Sequence, residues 1–405
     1  MKKIICILLL TILLSGCGVT VQNDPPGEIP AENPSTQEPD PPSRDEVLAQ
    51  FVEDMTLQEK IGQLLMAGFE GTQVSEREVS LIEDYHIGGF IFFGRNITNE
   101  EETRNLIHEL KTIKSDSPVQ LFIGVDEEGG PVSRLSGIYR NLPPQSSLGE
   151  SGDPEIAYEY GSIQGEKLRR LGFNVNFSPV LDVDSNPNNP VIGNRAISND
   201  PSLVAQLGIQ VWKGIGDQGV VPVGKHFPGH GDTDVDSHTL LPVIEKSREE
   251  LDETELVPFQ ASVDQGIPAL MVGHLLIPAL DQEPASLSEG IMEDLLRDEM
   301  GFRGVLFSDD LTMGAITDRM SVSEAAVDFI GAGGDVALIC HGETEVMEAF
   351  KAIEAAVRDG IISEEYIDQK LVRIIRLKED FKLGDEPVND NSQEGIDSRI
   401  EGLFD

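Results

Sequence analysis

Between about residues 46 and 382, short apolar runs alternate with longer segments in which apolar residues recur at helical spacing. Runs of four to eight apolar residues bounded by polar or turn residues read as buried strands, and the longer segments as amphipathic helices. The predicted strands are 63–68, 89–93, 120–126, 175–182, 220–226, 269–274, 304–309 and 335–339. Helical periodicity marks 101–113, 155–171, 203–218, 248–265 and 324–332, with 345–359 and 364–381 closing the series. Strands that alternate with helices form a parallel sheet, and eight such units favour a closed (β/α)8 TIM barrel in a single catalytic domain. An open sheet binding a dinucleotide needs a glycine-rich loop after its first strand. Gly68-Phe69-Glu70-Gly71 does not match that fingerprint.

The ends differ from this pattern. Lys2 and Lys3, an apolar stretch over 4–14 and the tetrad Leu14-Ser15-Gly16-Cys17 form a secretion signal, too short to span a membrane. The tetrad resembles a bacterial lipobox, which implies a signal peptide over 1–17 and an acylated Cys17. Residues 18–45 are rich in Pro, Glu, Asp, Ser and Asn and read as an acidic tether; the barrel domain then occupies 46–385, and 386–405 reads as an acidic tail. The expected location is the outer face of the cell membrane, held there only by the lipid. With Cys6 removed and Cys17 acylated, Cys340 is left as a single free thiol, so the core carries no disulfide framework. A formal charge of −42 argues against nucleic acid or an anionic membrane surface as a partner. No oligomeric state is assigned.

A barrel requires polar chemistry to collect where the strands end. Strand three ends in Asp126-Glu127-Glu128, strand four in Asp182, strand five in Lys225-His226, strand six in His274 and strand seven in Ser308-Asp309-Asp310. The segment from Lys225 to His238, KHFPGHGDTDVDSH, holds three of the seven histidines and three aspartates. One or two of these carboxylates would serve as helix caps, and Asp310 suits that role. A zinc site is the alternative for the cluster, but His226 and His230, four apart, sit on a Pro-Gly loop and lack the helical face of a metal pair.

With KHFPGHG and Asp236-Ser237-His238 stand DEEGGPVSRL from Asp126, NVNFSPVLDV from Asn174, GNRAIS from Gly193 and FSDDLTMGAI from Phe307. In this order the five motifs resemble glycoside hydrolase family 3, and within it the bacterial β-N-acetylhexosaminidases. The resemblance implies Asp309 as nucleophile of a retaining mechanism, with the adjacent Asp310 as the competing candidate, and His238, oriented by Asp236, as acid/base. It further implies Asp126 and Arg134 as a clamp on the far hydroxyls, Arg195, Lys225 and His226 as substrate contacts, and His230 as support for its loop. Forked arginine donors and carboxylate acceptors suit a polyol. His274 reads as a satisfied rim histidine.

The expected function is therefore exo-acting hydrolysis of terminal β-linked GlcNAc from peptidoglycan fragments or related oligosaccharides, with no metal or organic cofactor. A phosphorylase or β-glucosidase of the same fold stays open as an alternative. A zinc hydrolase and a non-catalytic sugar-binding lipoprotein are the readings from other classes.

Overall fold

The computed structural model describes residues 42–113, 119–237, 240–384 and 393–404. Its eight strands are β1 (Leu65–Gly68), β2 (Gly89–Phe92), β3 (Phe122–Val125), β4 (Val175–Asn176), β5 (Val221–Phe227), β6 (Ala269–Val272), β7 (Val305–Ser308) and β8 (Ala337–Ile339). All pairings are parallel, in the order β7-β6-β5-β4-β3-β2-β1-β8. A bridge between Phe307 and Val336, with Val336 N donating to Leu306 O and Ser308 N to Val336 O, closes the sheet into the expected (β/α)8 barrel. Every strand residue is buried, because helices cover the outside and side chains fill the inside. Phe307 packs edge-on to both Phe122 and Phe177, each with ring centroids 5.7 Å apart.

The elements differ from expectation where a local polar group outcompetes the strand or helix pattern. Thr56 and Glu59 form a capping box, so Gln63 ends a helix over Leu57–Gln63 instead of opening β1. β4 lapses after Asn176 because Pro179 has no N–H for the ladder; pairing resumes only as the Val180–Lys225 bridge. Asp335 precedes β8; its N–H donates to the Leu306 carbonyl, while its carboxylate takes the Leu306 N–H in place of a backbone carbonyl and also receives Arg297 and Arg373. The single helix expected over 248–265 is two, Arg248–Glu253 and Leu256–Asp264. Pro258 is tolerated in the first turn of the second but would break a continuous helix. Glu255, at the junction, turns inward to Lys246 at 2.5 Å and Ser185 at 2.9 Å.

Both ends of the domain extend past the expected limits. Ser43 and Glu46 cap a helix over Arg44–Glu53. The part of the acidic stretch that is described is no free tail: Gln393–Glu401 is helical, and Ile396, Ile400 and Leu403 are buried. Ile396 and Ile400 share a face at i, i+4, and Arg399 pairs with Glu159 and Glu166 of the Pro154–Leu171 helix. Among the described residues no helix is long and apolar enough to cross a membrane.

Candidate active site

The carboxylates that follow β3 divide the work. Glu127 is fully buried and pairs with Lys167 at 2.6 Å. It also accepts from the backbone N–H groups of Arg134 (2.8 Å) and Leu135 (3.1 Å) and from the Ser133 hydroxyl, so it shapes the loop after β3 from within. Glu128 accepts a two-pronged bond from Arg195, Nε at 2.9 Å and Nη2 at 2.8 Å, and lies 2.7 Å from Lys225 Nζ. Lys225 reaches Asp126 as well, at 2.6 Å. Burial alone would raise the Glu128 carboxyl, but Arg195 and Lys225 hold it well below the usual carboxylate range. Lys225 is raised despite its burial, because Asp126 and Glu128 face it, and it stays an ammonium.

The histidines of β5 are ordered by Asp182. His226 Nδ1 lies 2.7 Å from Asp182 Oδ2, while Asp182 Oδ1 accepts from the backbone N–H groups of His226 and His230. Burial would raise this carboxyl, yet its contact with His226 lowers it. His230 is buried between the hydroxyls of Ser237 (3.1 Å) and Thr233 (3.2 Å). Burial and the neighbouring His226 push its pKa down to about 4, so it is a neutral part of the loop, as expected from its position. Asp236 is half-buried and its carbonyl accepts from Leu240 N. The proposed acid/base His238 lies outside the described residues, as does Cys17.

Across the rim, Asp309 and Asp310 have different surroundings. Asp310 accepts from Thr312 N and Oγ1 at 2.9 and 2.6 Å and from Cys340 N at 3.0 Å, tying the turn after β7 to the end of β8. It does not cap the following helix, whose N-cap is Met313. Among the described residues, the Asp309 carboxylate accepts the Asp310 N–H, at 2.8 Å. Burial would raise its carboxyl, but His274, His226 and Lys225 lower it, so it is ionised. His274 is held between Ser286 Oγ at 2.7 Å and Asp310 O at 3.0 Å, a satisfied rim histidine.

Asp126, Glu128, Arg134, Arg195, Lys225, His226, His230, Ser237 and Asp309 line one cavity of about 190 Å³. That is small beside the roughly 300–1,000 Å³ of common ligand clefts, and it suits one compact polar group. Ile91, Met271, Met313 and Leu338 add apolar surface, and Phe93 stacks on His341 with centroids 5.4 Å apart. Arg134 contributes an Nε that is buried and has no partner among the described residues, a donor left for a ligand. Arg195 is more committed than its sequence position suggested, since Glu128 and the Val191 carbonyl (3.1 Å) take three of its donors. Glu127, Glu128 and Asp182 were visible in the sequence only as rim carboxylates, without assigned partners.

Residues 56–377 match the model of the glycosyl hydrolase family 3 N-terminal domain. The chain belongs to glycoside hydrolase family 3. Among similar proteins, Beta-hexosaminidase A of Pseudoalteromonas piscicida is 36% identical over 74% of this chain. The match spans only 54% of that relative's length. A Beta-hexosaminidase of Neisseria meningitidis is 37% identical over 68% of this chain and 78% of its own. The structure of a family 3 beta-N-acetylglucosaminidase from Paenibacillus sp. str. FPU-7 superimposes with a TM-score of 0.82 at 41% identity, covering 86% of this chain and 69% of that one. The expected family and barrel are therefore those of the chain, and it is a glycoside hydrolase.

Proposed function

We propose that this family 3 enzyme is a β-hexosaminidase that removes terminal β-linked GlcNAc, with retention, from peptidoglycan fragments or related oligosaccharides. The observation that carries the reading is Asp309: an ionised carboxylate on the cavity wall, with its neighbour Asp310 committed to the turn and to Cys340. In the first step an Asp309 oxygen bonds to the anomeric carbon as the glycosidic C–O bond breaks, and the departing oxygen takes a proton from His238. In the second step His238 takes a proton from water, whose oxygen displaces Asp309 and restores the β configuration. Asp236 orients the imidazole and favours its protonated form. Arg134 and Asp126 engage hydroxyls away from the anomeric carbon; Lys225 and His226 lie nearer to it. Arg195 contributes the donors that Glu128 leaves over and keeps that wall rigid.

Incubating the enzyme with GlcNAc-MurNAc fragments, with and without phosphate, and identifying the products tests the reaction. Free GlcNAc under both conditions is expected. GlcNAc 1-phosphate in phosphate buffer would make the enzyme a phosphorylase, and preferential turnover of a chromogenic glucoside a β-glucosidase. Asp309→Ala is expected to lower kcat on a chromogenic GlcNAc glycoside by on the order of a thousandfold or more; normal turnover would remove Asp309 from the nucleophile's role.

Export and anchoring through Cys17 complete the proposal, supported by the Leu-Ser-Gly-Cys tetrad after its basic and apolar segments. Cys17→Ser is expected to move the protein from the membrane fraction to the soluble exported fraction. Retention of that variant in the membrane would refute a lipid on Cys17.

A further inference from the structure

The loop after β3 carries Arg134, and its stability has two sources. On the inside Glu127 gathers the Arg134 and Leu135 amides, and Tyr160 OH donates within reach of the Glu128 and Pro143 carbonyls, at 2.7 and 2.6 Å. On the outside, residues 138–140 bond to the C-terminal helix. Asp397 Oδ1 accepts the Arg140 N–H at 2.8 Å, Gln393 Nε2 donates to the Ile138 carbonyl at 2.5 Å, and the Arg140 guanidinium pairs with Glu401. The same helix is fixed from below by Arg399 on Glu159 and Glu166 and by its buried Ile396 and Ile400.

We propose that the Gln393–Glu401 helix is a brace that positions the Arg134 loop for substrate, and so belongs to the sugar-binding apparatus although it touches no substrate. The helix lies beyond residues 56–377, the part matched to the shared family domain. It grips the backbone of the loop, at one amide and one carbonyl, so it fixes the path of the chain more than the conformation of any one side chain. Arg134 lies four residues before Ile138, and Ile138 N and Tyr139 N both return to the Leu135 carbonyl at 2.9 Å. That turn couples the braced residues to the one that follows Arg134. A guanidinium displaced by about 1 Å loses much of its bonding to a hydroxyl pair, and the loss falls on binding before it falls on bond cleavage. The proposal rests on reading Arg134 as a substrate contact.

The test uses the full chain with Asp397→Ala, which removes the acceptor for the Arg140 N–H, and Asp397→Asn, which keeps an oxygen there. Two quantities are measured: KM and kcat on a chromogenic GlcNAc glycoside, and amide exchange over residues 132–141. Asp397→Ala is expected to raise KM about fivefold with kcat changed less than about twofold, to speed exchange in the loop and not in β1–β8, and to be rescued by Asp397→Asn. Ile400→Asp, which detaches the helix through its apolar face, should reproduce the effect in a larger form. Unchanged KM and exchange in both Asp397→Ala and Ile400→Asp, or a lower melting temperature alone, would overturn the brace. Arg134→Ala separates the two ideas. If it raises KM and the helix variants do not, the brace is wrong; if it leaves KM unchanged, the reading of Arg134 as a contact is wrong and loop exchange decides the brace.

Discussion

His230 shows how far one side chain's role depends on what encloses it. It stands between two residues proposed to touch substrate or transfer protons, His226 and His238, yet it is 1% exposed and held between two hydroxyls. Its pKa of about 4 lies below the ordinary histidine value of about 6.5. As the pH falls through that interval the unfolded chain takes up a proton that the folded chain refuses. The stabilisation from burying the neutral ring is complete above about pH 6.5 and is lost as the pH drops toward 4, by up to about 3 kcal/mol. Urea unfolding from pH 7 to 4.5 should show this loss, and His230→Gln should flatten that part of the curve. An unaltered slope in the variant would assign the pH dependence to other groups. Glu128 illustrates the same point with opposite sign. Its partners, 67 and 97 residues away in the chain, turn a costly buried charge into a fixed anchor for Arg195 and Lys225. Nothing in DEEGG states which of its carboxylates receives those cations.

At the scale of elements, the loop after β5 is fitted to its neighbours through glycine. A Cβ on Gly231 would fall 1.6 Å from the Val183 carbonyl oxygen, and backbone cannot yield as a flexible side chain does. Gly229, with φ +131°, would meet Glu255 Cβ at 2.7 Å and carries backbone strain for any other residue. Gly231→Ala is therefore expected to push the loop off the segment after β4 and displace His226, Ser237 and their successors. A fall in kcat/KM of on the order of tenfold or more, together with earlier melting, is the expected outcome; full activity with wild-type stability would mean that the loop accommodates the methyl group elsewhere. The sequence marked this segment as loop from its Pro, Gly and Asp content. It did not reveal that the loop packs on Val183 and Glu255, because close backbone approach leaves no trace in composition.

For the whole molecule, a formal charge of −42 sets how charged substrates arrive. A muropeptide, one of the substrates proposed above, carries carboxylates and would approach against this field, whereas a neutral chromogenic glycoside does not. Raising ionic strength from about 0.01 to 0.15 M shortens the Debye length from about 30 to 8 Å. The muropeptide's kcat/KM should rise, by about threefold, while that of the neutral glycoside stays level. Equal responses would confine the charge to faces remote from the cavity. The barrel itself was legible in the chain: seven of the eight strands fall within the predicted runs and β5 passes its run only by Phe227, since buried parallel strands must be apolar on both faces and helices between them must be amphipathic. The short helices at 57–63 and 76–83 were not assigned, because capping boxes such as Thr56 with Glu59 are brief signals beside a long apolar run. The C-terminal helix escaped for a related reason, its stripe being only Ile396, Ile400 and Leu403 within an acidic stretch. By itself the sequence determined the alternation that closes a barrel and the residue types at its rim, because periodicity and strand-end position are local properties of the chain. Only the tertiary structure decided which rim carboxylate binds which cation, which histidine is sealed from water and which helix braces the Arg134 loop. Those outcomes depend on distances between residues far apart in sequence, and on the low dielectric that burial creates around them.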